Sequence, residues 1–148
     1  MEEVKFFYDG GDRNANFGAK LVQEIREVSI NGFCILTDFL GYPDDEVMSQ
    51  EVVDLNNRMR DEQCIKIRFK YLIHILKKCR TVPEMQFIVT TNKFETFELH
   101  DFEDASQDFQ DSTASIEFRL IGGELFTIFL KNHVTAERIK EFFSNSQN

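Results

Sequence analysis

Residues 64–80 read CIKIRFKYLIHILKKCR, and the period assigned to this run decides how the rest of the chain can fold. With period two, Ile65, Ile67, Phe69, Tyr71, Ile73 and Ile75 alternate with Lys66, Arg68, Lys70 and His74, the pattern of a half-buried strand. With period 3.6, Ile65, Phe69, Leu72, Ile73 and Leu76 fall on one arc of a helix, and Lys66, Lys70, His74, Lys77 and Lys78 fall on the opposite arc. The helical period fits better over 65–76. A strand of that extent would be about twice the usual length, Leu72 and Leu76 break its polar face, and Lys77, Lys78 and Arg80 suit a helix C-terminus ahead of Pro83. One face of the run is then core and the other a basic stripe.

The stripe gains meaning from the charge around it. The chain of 148 residues carries a net charge of −9, unevenly spread. Residues 1–57 hold 12 acids and 4 bases, residues 58–80 hold 2 acids and 8 bases, and residues 81–148 hold 12 acids and 5 bases. An acidic chain argues against general nucleic-acid binding, whose affinity comes from neutralising phosphates. A local cationic face suits an acidic protein partner, unless the chain's own acidic segments neutralise it.

Outward from the central run, residues 4–8 read as a strand, 9–14 as a turn-rich loop, and 16–29 as an amphipathic helix bearing Phe17, Leu21, Ile25 and Val28. Gly32 stands where a helix-ending glycine is expected, and residues 33–36 read as a short buried strand. Asp44, Asp45 and Glu46 suit a helix N-terminus, with Met48, Val52, Leu55 and Met59 as its apolar stripe.

After Pro83 the period becomes two. Residues 84–102 look like a hairpin, 103–115 a polar loop, and Gly122-Gly123 a tight turn between two further strands. Thr135 is the expected N-cap of a closing helix over 135–144, with Val134 and Ile139 in the positions of a hydrophobic staple. The expected fold class is α+β in one domain: helix-rich to residue 80, strand-rich over 81–133, with helices of the first half on an antiparallel sheet of two C-terminal hairpins. The 42% hydrophobic content, with 16 Phe and no Trp, implies a phenylalanine-based core.

Two segments resemble parts of known families. Residues 32–40, GFCILTDFL, resemble the leading strand of prolyl-hydroxylase-type oxygenases, but the H-x-D motif that holds their iron is missing and that chemistry does not carry over. Residues 116–143, a hairpin and an amphipathic helix, are similar to the end of a pleckstrin-homology-like barrel.

No local motif points to catalysis. His74, His100 and His133 are too dispersed for a sequence-local metal site, and Cys34, Cys64 and Cys79 show no C-x-x-C pair, so reduced thiols, no metal and no cofactor are expected. The loop Asp9, Gly10, Gly11, Asp12 and Asn14 joins a strand to a helix N-terminus, where an anion could sit, which makes a small enzyme or nucleotide binder the alternative. The leading expectation is a protein-interaction module that offers the stripe Lys66, Lys70, His74, Lys77 and Lys78 or an open strand edge to a protein partner. A homo-oligomer is left open. Neither a signal-peptide pattern nor a membrane-length apolar run occurs, so the expected location is intracellular, cytoplasmic or nuclear.

Overall fold

The computed structural model describes residues 2–11, 13–29, 32–90 and 114–146. They form an α+β fold of ten elements. In chain order these are β1 (Glu2–Phe7), α1 (Ala15–Val28), β2 (Phe33–Pro43), α2 (Gln50–Glu62), β3 (Ile65–Ile67), α3 (Phe69–Lys77), β4 (Cys79–Thr90), β5 (Ala114–Ile121), β6 (Leu125–Leu130) and α4 (His133–Ser146). The strands make one six-stranded sheet in the order β1-β6-β5-β4-β2-β3, with every neighbouring pair antiparallel.

The α+β expectation holds, but the division of labour along the chain does not. Three of the six strands come from the first half, so the sheet is not built from two C-terminal hairpins. β2 is long because bulges near Asp38 and Tyr42 let it bend while it stays paired with β4 as far as Pro43. Residues 45–47 are a turn rather than a first helical turn, and α2 starts only after the extended Ser49. The second arm expected of the 84–102 hairpin lies outside the described residues. The Gly122-Gly123 turn forms as read, with φ of 63° and 71°, values at which a Cβ would be strained.

In the 64–80 run each period holds over its own part. Ile65 and Ile67 point inward and Lys66 outward on β3. Arg68 stays extended at ψ 139°, and from Phe69 the buried residues Phe69, Leu72, Ile73 and Leu76 follow the helical period. The helix expected over 65–76 is therefore shortened at its start by a strand. A three-residue strand suffices because β2 supplies its partner: Cys34, Ile35 and Leu36 face Ile67, Lys66 and Ile65.

All four helices bury their apolar stripes in one core on one face of the sheet. A relay of rings runs through it. Phe87 stacks on Phe118 at 4.7 Å, Phe118 meets Phe126 edge-on, Phe126 meets Phe17, and Phe6 stacks on both Phe17 and Phe143. This is where the phenylalanine content goes, and offset or edge-on pairs add roughly 0.5–1.5 kcal/mol each beyond burial. The closing helix is capped by Asn132, whose Oδ1 accepts from the Thr135 backbone N–H, and not by Thr135 itself. The expected staple is not made, since Val134 is exposed. The C-terminal hairpin lies inside the sheet, between β1 and β4, and α4 packs against β1 and β6, so the described strands form an open sheet and not a barrel.

Two asparagines act as surrogate strands. The buried Asn14 side chain accepts from the Val82 N–H and donates to the carbonyls of Val82 and Gly123, each at 2.8 Å. The Asn56 amide exchanges both hydrogen bonds with Gly41 on the outer half of β2, at 2.8 and 3.0 Å. Gly41 is required there, because a Cβ would meet the Phe39 ring at 2.8 Å.

Candidate functional site

The described residue types that could carry chemistry gather in two places. The first is the edge of the sheet at β3. Arg68 stays extended between strand and helix, and Lys66, Arg68 and Lys70 around it come to line the same surface. Two clefts share these three cations as a common wall. One, of about 520 Å³, is completed by Arg58, Ile67, Tyr71 and His74. The other, of about 650 Å³, is completed by Arg26, Ile67 and Phe69 and by Gly32, Phe33 and Cys34 near the start of β2. No described acidic residue lines either cleft.

The cations differ in how free they are. Lys66 sits 4.3 Å above the Phe33 ring, and His74 Nε2 lies 3.2 Å from Glu51 Oε1. Arg58 donates to Glu62 at 2.6 Å, which raises its already high affinity for a proton. Lys70 and Arg68 make no ion pair among the described residues. Tyr71 is exposed beside them and stacks on His74. Guanidinium, ammonium and aromatic groups on a half-apolar floor suit carboxylates or other anions on a chain that also has apolar side chains.

The stripe anticipated from sequence is thus divided. Lys66, Lys70 and His74 come together, whereas Lys77 and Lys78 line neither cleft. Arg26, Arg58 and Arg68 join instead. Arg68 lay within the central run, but nothing in the sequence brings the ends of α1 and α2 to this edge.

The second place is the sheet face opposite the helices. Alternation and register align Asp38, Gln86, Arg119, Thr127 and Lys5 in one row across five strands. Beside it, Glu117 and Arg119 form a buried ion pair at 2.8 Å, with the Arg119 guanidinium 4.7 Å above the Phe129 ring. Burial pushes the Glu117 carboxyl up, while Arg119 and then Gln86 pull it back. At the other end of the row the half-buried Asp38 is pushed up to about 6, first by burial and then by the charge of Glu84 and a hydrogen bond with it. Asp38 also lines a cleft of about 420 Å³ between β2 and α2, with Asn57, Arg60 and Gln63.

In the loop after β1, Asp9, Gly10, Gly11 and Arg13 are exposed, and Gly11 has a φ of 85°. Asn14 is turned inward with both kinds of amide group engaged, and Asp12 lies outside the described residues. Burial raises the thiols of Cys34 and Cys79, the latter to about 12, so both stay protonated at neutral pH. No cysteine forms a disulfide. Glu2, His133 and Glu137 place ligand atoms within 4.8 Å of one another, but Lys140 Nζ stands 3.0 Å from Glu137 and 3.4 Å from Glu2 and occupies the cation's place. No described helix is long and apolar enough to cross a membrane.

No family model, curated protein or solved structure matches the chain.

Proposed function

We propose that this protein is an intracellular interaction module that binds an acidic segment of a protein partner at the β3 edge, without catalysis. The observation that carries the reading is the common wall of Lys66, Arg68 and Lys70 between two clefts free of described acids, on a chain of net charge −9. An overall acidic surface repels acidic partners except where cations are gathered, so the cleft would select both the site and the orientation of docking. β3 also ends the sheet among the described strands, and an extended acidic segment would add there as a short strand with its side chains on the cations.

The test is binding of a fluorescent Glu/Asp-rich peptide, compared with single-stranded DNA of matched charge. Combining Lys66→Glu with Lys70→Glu should weaken the peptide about tenfold or more while leaving the melting temperature within the small range usual for surface changes. Lys77→Glu, outside the clefts, should have much less effect. Equal loss from Lys77→Glu would mean that net charge, not the cleft, governs binding. Preference for the DNA would replace a protein partner with a nucleic acid.

A further inference from the structure

We propose that the chain forms a two-fold dimer by pairing β1 with β1 of a second copy, centred on Val4. β1 is the sheet edge opposite the basic cleft, and no described strand pairs with its outer side. The Tyr8 N–H donates to the Glu124 carbonyl, which fixes the phase of the β1–β6 ladder. In that phase the main-chain groups of Val4 and Phe6 face β6, and those of Glu3 and Lys5 face outward. A second β1 therefore meets unpaired donors and acceptors at Glu3 and Lys5.

Side chains choose the register. A two-fold axis normal to the sheet keeps the helix-covered faces of both copies on one side, so only registers that pair residues of the same face are admissible. Centring on Glu3 sets Glu3 against Glu3, and centring on Lys5 sets Lys5 against Lys5. Centring on Val4 sets Glu3 against Lys5 twice and makes both of these the hydrogen-bonded pairs. Glu3 and Lys5 are exposed and already 3.1 Å apart within one chain, so pairing extends that contact into an alternating set of four charges. The sheet becomes twelve strands long, with a basic cleft at each far end, so a dimer could hold two acidic segments at once.

Sedimentation equilibrium of the full chain tests this directly. Wild type should be dimeric, and Glu3→Lys or Lys5→Glu alone should weaken association about tenfold or more, because each places like charges opposite one another in both pairs. The combined swap Glu3→Lys with Lys5→Glu should restore the dimer, and the two single variants should pair when mixed. Amide exchange supplies a readout without substitution: the Glu3 and Lys5 amides should be protected at dimer-forming concentration and unprotected on dilution. A wild-type chain that stays monomeric at its highest soluble concentration overturns the proposal. So does a dimer indifferent to the single substitutions, or one that the combined swap fails to restore.

Discussion

The two faces of the sheet solve the same packing problem with different materials. The strand residues that pack into the core under the helices are apolar, and their order comes from rings such as Phe87, Phe118 and Phe126 that fill space. The opposite face places a polar row through its middle, with the Glu117–Arg119 pair almost wholly buried. Apolar packing draws its stability from filled volume and loses it where volume is removed. A buried ion pair differs, since it contributes little net stability when intact and is costly when half of it is removed. The first face therefore accounts for stability, and the second contributes little to it while both charges are in place.

The largest expected effect comes from the first face. Phe118→Ala removes a fully buried ring that touches Phe87 and Phe126, and should destabilise the protein by roughly 3–5 kcal/mol in urea unfolding. Next is Arg119→Leu, which strands the Glu117 carboxylate and should cost about 3 kcal/mol or more. The comparison sharpens when both partners change. Combining Arg119→Leu with Glu117→Leu should be less damaging than Arg119→Leu alone, because no buried charge is left behind. If the double variant is as unstable as the sum of the two singles, the pair is not coupled and the contrast between the faces fails. Asn14→Ala follows at about 2–3 kcal/mol, since it leaves the Val82 N–H and two carbonyls without their partner.

How far these faces were legible in the sequence depends on the range of the contacts involved. The α+β class, α1, β5, β6 and the Gly-Gly turn follow from local period and from the backbone freedom of glycine, which a linear reading captures. In the central run the helical reading fails over residues 65–67, because Ile65 satisfies both periods and the pairing with Cys34, Ile35 and Leu36 that settles the matter is non-local. The cleft was half legible. Lys66, Lys70 and His74 share one segment, but Arg26 and Arg58 arrive on helices whose packing the sequence does not spell out. Asn14 looked like a loop ligand because its partners, Val82 and Gly123, lie far along the chain. The polar row was invisible for the same reason: it draws one residue from each of five strands.

The mildest test of the second face concerns pH. Asp38 stands at the β2 end of the polar row, with its carboxyl pushed up to about 6 by burial and by Glu84. A carboxyl raised in the folded state binds its proton more tightly there than in the unfolded chain. Its contribution is therefore fully present below the ordinary carboxylate range near 4 and is lost as pH rises through about 6. The half-exposed position screens the effect, which leaves about 1–2 kcal/mol. Asp38→Asn keeps the shape and cannot ionise, so it should stabilise the protein by about that amount at pH 8 and leave stability nearly unchanged at pH 4. The measurement is a series of urea unfolding curves from pH 4 to pH 8 for both proteins. Parallel stability profiles would show that Asp38 ionises without cost, and the second face would then be polar at its Glu117–Arg119 centre but ordinary at its margin.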